Sequence, residues 1–192
     1  MASEVSICRT ALLRLGDSSI NSLDEQTNRS ILCKNLYDQA RDFIIRRHVW
    51  NSCVTRVALA PLATAPPFDY AYQFLLPANC LRVLSVGFAD EGLTPWKVEG
   101  STSGRIILCD ENPCYLRYVF QNTDPATWDP GLIEAVTDYL TELLAYPITK
   151  SLGVVEVMTA KKERDGKVSR SIDGLEDVPE TSTDAQFIAA RG

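Results

Sequence analysis

The sequence contains no long apolar run. None of its hydrophobic stretches approaches the roughly 18 residues that a membrane span requires, which excludes a spanning helix as the organising element. Met1-Ala2-Ser3-Glu4 lacks a basic segment leading into an apolar core, so no signal peptide is expected and folding in a cytoplasm is. Basic charge is also scarce: 19 Lys and Arg stand against 25 Asp and Glu, for a net charge of −6. An acidic chain is a poor candidate for gripping nucleic acid through its phosphates, though it suits a surface past which DNA slides without sticking.

Reactive chemistry is thin as well. The sole histidine, His48, adjoins Trp50 at an expected helix end and reads as structural, because no serine or cysteine motif accompanies it. GxSxG is absent. The cysteines at 8, 33, 53, 80, 109 and 114 form no CxxC, so neither a zinc site nor any other metal or cofactor is expected. In a cytoplasm they should be reduced and mostly buried as small apolar residues. Gly100 to Arg105 faintly suggests a phosphate loop but lacks the GK[ST] ending and precedes a strand; a flexible hairpin turn fits better. The acidic pairs Asp24-Glu25, Asp90-Glu91 and Asp110-Glu111 fall in expected loops, where solvated turn residues are the default. No enzyme is indicated.

What is present is a helical pattern around a β-rich middle. In residues 27–51, Cys33, Leu36, Tyr37, Ala40, Phe43 and Ile44 share one helical face, opposed by Asn35, Asp38, Asp42 and Arg46. Ile45 lies outside that stripe and is either one ordinary exposed isoleucine or part of a second contact surface. An earlier helix starts at Ser3 as N-cap with Glu4 in its first turn, carries Val5, Cys8, Ala11, Leu12 and Leu15, and ends at a left-handed Gly16. Thr27 or Asp24 starts the central helix. From Val54 to Leu59 the chain turns β-branched, and prolines 61, 66 and 67 follow. Further strands are expected around Tyr70–Phe74, Leu81–Phe88 (Leu84, Val86 and Phe88 on one face), Trp96–Glu99, Arg105–Leu108 and Tyr115–Phe120. They suit a small antiparallel sheet or open barrel.

Asp129-Pro130 opens another helix with stripe Leu132, Ile133, Val136, Leu140, Leu143 and Leu144, which Pro147 ends or kinks. A last helix is expected from about Thr149 to Lys167. Beyond Ser169 the composition cannot bury a core of its own. Phe187-Ile188 is the exception there, either sequence noise or an anchor that orders on a partner. The expectation is therefore α+β, mainly α: a helical bundle with an inserted small antiparallel β subdomain and an extended C-terminal tail. Its parts are residues 1–53 and 129–168 (helical), 54–128 (β-rich) and 169–192 (tail).

An ordered series of motifs runs Ala11-Leu12-Leu13-Arg14-Leu15-Gly16, Ile20-Asn21-Ser22-Leu23-Asp24-Glu25, Tyr37-Asp38-Gln39-Ala40-Arg41-Asp42, and His48-Val49-Trp50-Asn51 with Arg56. Tyr70-Ala71-Tyr72, Leu76-Pro77-Ala78-Asn79-Cys80-Leu81-Arg82-Val83 and Val98-Glu99-Gly100 follow. Leu116-Arg117-Tyr118-Val119, Thr123-Asp124-Pro125 and Leu144-Ala145-Tyr146-Pro147-Ile148-Thr149 complete it. The succession, over roughly residues 3 to 150 and more than any single piece, resembles tail tubular protein A, the head-to-tail adaptor family of tailed bacteriophages. The resemblance implies a homo-oligomeric ring, a dodecamer, in the virion neck, assembled in the host cytoplasm. Its partners would be a portal protein and a tail nozzle or other tail protein, with DNA only as passing cargo and no membrane. A heterologous ring contact needs two complementary faces on one subunit; Ile45 is a candidate for one, and Phe187 and Ile188 for a clamp on portal or neighbour. The alternatives are another neck or tail ring component such as a stopper or terminator, a plain binding module, or a small metal-dependent nuclease using Asp110 and Glu111.

Overall fold

The computed structural model describes residues 2–87 and 94–160. Helix α1 (Glu4–Arg14) begins in a capping box, in which Ser3 and Ser6 each accept from the other's backbone N–H. It ends where Gly16, at φ 75°, lets the Gly16 and Asp17 amides return to the Leu13 and Leu12 carbonyls. Thr27, rather than Asp24, caps α2 (Asn28–Arg47) by accepting from the Ser30 amide. A 3₁₀ turn (Asn51–Cys53) leads into β1 (Val54–Leu59). There follow β2 (Tyr72–Leu75), β3 (Cys80–Val86), β4 (Trp96–Ser101), β5 (Gly104–Cys109) and β6 (Cys114–Phe120). Asp129 then accepts from the Gly131 and Leu132 amides and opens α3 (Pro130–Thr149) with proline in its first turn. Pro147 does not end that helix, which closes at left-handed Lys150. Residues 152–160 are again helical; the rest of the expected last helix and the tail fall outside the described residues.

The strands form two three-stranded antiparallel sheets, β1-β6-β3 (sheet A) and β2-β5-β4 (sheet B). They stack over their own core: Phe74, Ile107 and Cys109 of sheet B meet Val86, Leu116 and Tyr118 of sheet A. A second core joins Ile7, Leu12, Tyr37, Ile44, Leu132, Leu140 and Leu144 of the helices with Val119, Leu81 and Leu84 of sheet A. Sheet A therefore has helices behind one end and sheet B in front. This corrects the mainly helical expectation. The molecule is a mixed α+β fold in which two antiparallel sheets are as much of the framework as the helices. A single small sheet inserted in a bundle would have left one face without cover; a second sheet buries it.

β3 departs from simple alternation. Register shifts between Cys80 and Arg82 and between Val83 and Ser85 turn Leu84 toward the helical core and Val86 toward sheet B, so these two do not share a face. Phe88 lies outside the described residues. Residues 101–104 form a tight hairpin, in which the Ser101 hydroxyl donates to the Gly104 carbonyl and accepts from the Ser103 amide.

Candidate functional site

The residues that carry charge or reactivity sort into three places. The first is the inside of the helical layer. Arg14, at the last turn of α1, donates to both Glu134 oxygens at 2.7 and 2.8 Å and to Asp138 Oδ1 at 2.7 Å, joining α1 to α3. On α2, Arg41 is 4% exposed and donates to Asp42 at 2.8 Å and Asp38 at 2.7 Å. Burial works against the Arg41 charge, and its two carboxylate neighbours outweigh it, so its pKa moves up. Gln121, just past β6, donates to the second Asp42 oxygen at 2.8 Å, which ties the helices to sheet A. Arg14, Asp38, Arg41 and Asp42 belong to motifs read from sequence, and Arg41 finds both carboxylates beside it on its own helix. Glu134 and Asp138 instead lie 120 and 124 residues along the chain from Arg14, a pairing that no local pattern announces.

Ile45 has to be corrected. It is 0% exposed, within the helical core, and presents no contact face on the subunit. α2 is packed by α1, α3 and β3, so the strip beyond the main apolar stripe is covered too. The outward aromatic is Phe43 instead, 44% exposed and stacked on Tyr139 at 4.7 Å, with Arg47 over its ring at 6.0 Å. The wheel placed Phe43 inside and Ile45 outside; packing reverses them. Phe187 and Ile188 lie outside the described residues.

The second place is the cysteine set. All six are free and buried, as a reduced apolar role requires. Cys8 of α1 and Cys33 of α2 interact, and Cys33 together with burial drives the Cys8 thiol far up. Burial raises Cys80 and Cys109 and pushes Cys114 up to about 12, so these are poor nucleophiles. Among the described residues no group of three or more His, Cys, Asp or Glu is arranged to hold a metal ion. His48 closes α2 with its ring edge against Trp50 at 4.7 Å, and Trp50 donates to the Ile44 carbonyl. Asp110 accepts from the Ala71 amide at 2.8 Å and Glu111 accepts from the Thr94 hydroxyl; both brace turns. Asp90 and Glu91 are outside the described residues.

The third place is the outside of the two sheets. On sheet A, Arg56 and Arg117 are register partners across β1 and β6. With Ala58, Ser85, Gly87 and Tyr115 they line an open groove of about 320 Å³. On sheet B, Pro66, Pro67 and Phe68 lie over the face turned away from sheet A, where they line a small pocket with Gln73, Lys97, Ile106 and Leu108. A further concavity of about 440 Å³ opens where the C-terminal ends of α1 and α3 meet the start of α2, between Asp17, Arg29 and Pro147.

No protein-family model matches the chain, and no curated protein matches it in sequence. The surfaces must therefore be read from their own chemistry. That chemistry offers a cationic groove on one sheet, an aromatic tip on the other, and an aromatic patch on the helices. Strand alternation was the signal for the groove, since Arg56 in β1 and Arg117 in β6 each sit between inward residues. Pro66-Pro67 was the only local hint of the tip.

Proposed function

We propose that this chain is a structural head-to-tail adaptor of a tailed-phage virion, not an enzyme. Copies form a ring between a portal protein and the tail nozzle, and the genome passes through the opening. One observation carries this reading: the ordered succession of adaptor-like motifs over roughly residues 3 to 150.

Two features support it. First, several motif residues are framework residues. Arg14 bridges α1 and α3, Arg41 is buried between Asp38 and Asp42, and Asn79 supplies the carbonyl that accepts from the Gln121 amide. A motif series whose members hold the fold together is what a shared architecture requires. Second, the net charge of −6 suits a channel wall that must not retain DNA. The lumen is expected to be acidic or mixed, with few base contacts.

The test is to mix the full-length chain with purified portal protein and image the product. A ring seated on one end of the portal is expected. Portal particles that stay bare, with the chain remaining in the supernatant, would overturn the proposal.

A further inference from the structure

Cys8 of α1 and Cys33 of α2 meet across the seam between these helices. Both are 0% exposed and belong to the helical core, and their thiols hydrogen bond to one another. Tyr37, one helical turn on from Cys33, feels the Cys8 sulfur as well, which places Cys8 over the Cys33–Tyr37 face of α2. Sulfurs in hydrogen-bond contact on two neighbouring elements are within the short reach that a disulfide needs.

The two sulfurs are not equivalent. Cys8 donates to Cys33, which lowers the Cys33 pKa against burial and the nearby Asp17 charge and raises that of Cys8. Cys33 therefore ionises first, and the thiolate is the nucleophile in exchange with a disulfide. Cys80, Cys109 and Cys114 are raised by burial instead. A covered sulfur reacts only when its cover opens. α1 packs chiefly on α3 and more lightly on α2, so the seam holding the pair is the weaker side of α1. Its local opening uncovers both sulfurs together.

We propose that Cys8 and Cys33 form a redox-sensitive lock, in which a small-molecule disulfide such as oxidised glutathione converts the pair to a disulfide that fastens α1 to α2. The Cys33 thiolate attacks one sulfur of the small disulfide and expels the other half as a thiolate. Cys8 then gives up its proton and attacks Cys33 in the mixed disulfide, expelling the second half. The two protein thiols lose two electrons and two protons, and the small disulfide becomes two thiols. The occasion for this step rests on the virion reading above, because a chain that folds reduced in a cytoplasm meets oxidising surroundings once particles are released. The chemistry itself does not depend on that reading.

The test incubates the reduced full-length chain with oxidised glutathione in the absence of denaturant, blocks the remaining thiols and maps the disulfides by mass spectrometry. A Cys8–Cys33 link is expected, and it should raise the urea midpoint by about 1 M, because the closed loop restricts the unfolded chain. Cys33→Ala should abolish both the link and the shift. Free thiols at Cys8 and Cys33 after oxidation, or bridges from them to other cysteines, would overturn the lock, as would a link that leaves the midpoint where it was. Mapping needs only the wild type, so a variant that fails to fold leaves this result readable. A chain that forms the link yet never seats on portal overturns the virion reading alone; one that seats on portal with both thiols free overturns the lock alone.

Discussion

Replacing Arg14 by alanine removes the polar tie that joins α1 to α3. Its guanidinium spans two carboxylates of different surroundings: Glu134 is partly exposed, whereas the Asp138 side chain is 5% exposed. The Glu134 leg resembles a surface pair and contributes about 0–1 kcal/mol. The Asp138 leg is different, because removing one partner leaves a buried carboxylate short of compensation, at a cost of about 3–5 kcal/mol. Asp138 keeps other interactions in the folded chain, which places the expected loss near the lower end, about 3 kcal/mol. Urea unfolding followed by far-ultraviolet circular dichroism measures it. Glu134→Ala should cost less than about 1 kcal/mol in the same assay. Pairing Arg14→Ala with Asp138→Asn should recover about 1–3 kcal/mol, since the buried charge is then gone. An Arg14→Ala variant no less stable than Glu134→Ala would refute the reasoning and mean that Asp138 is sustained without the arginine.

Three further outcomes follow from the same structure. Ile45→Ala, at a fully buried position, should destabilise the monomer by about 2–5 kcal/mol in chemical unfolding and act through stability rather than as a surface change. Stability should fall as pH rises above about 9, because burial holds the Cys80, Cys109, Cys114 and Tyr118 pKa values above those of the unfolded chain. There the unfolded state releases protons that the folded state retains, so each such group contributes a loss of up to about 1.4 kcal/mol per pH unit, fully recovered below its unfolded pKa. Urea midpoints at pH 8 and pH 10.5 check this, and equal midpoints would contradict it. Truncation after Ser171, which removes Phe187 and Ile188, should leave a folded monomer that binds portal poorly, and undiminished capture by immobilised portal would remove the tail from the mechanism.

Local chemistry made much of the fold readable from sequence. Ser3, Gly16 and the Asp129-Pro130 pair marked helix ends correctly because caps and proline act within a few residues. The strands β1 and β6 were readable too, since Leu116, Tyr118 and Phe120 alternate against one core. What failed depended on distance. The β3 bulges shift register without any glycine or proline to signal them, and they separated Leu84 from Val86. Ile45 looked misplaced only because the wheel assumes that one side of a helix is covered. The second sheet, and with it the balance of strands and helices, depended on strand order. β3 pairs with β6 rather than with a sequence neighbour, which no alternation pattern encodes. Arg56 and Arg117 likewise become neighbours only through the pairing of β1 with β6.

Locating the polypeptide in assembled particles tests the adaptor proposal most directly. In phage particles built with a tagged copy of the chain, cryo-electron imaging should show the tag repeated around the axis at the junction of capsid and tail. A tag found on the capsid shell, at the tail tip, or absent from particles altogether would contradict it.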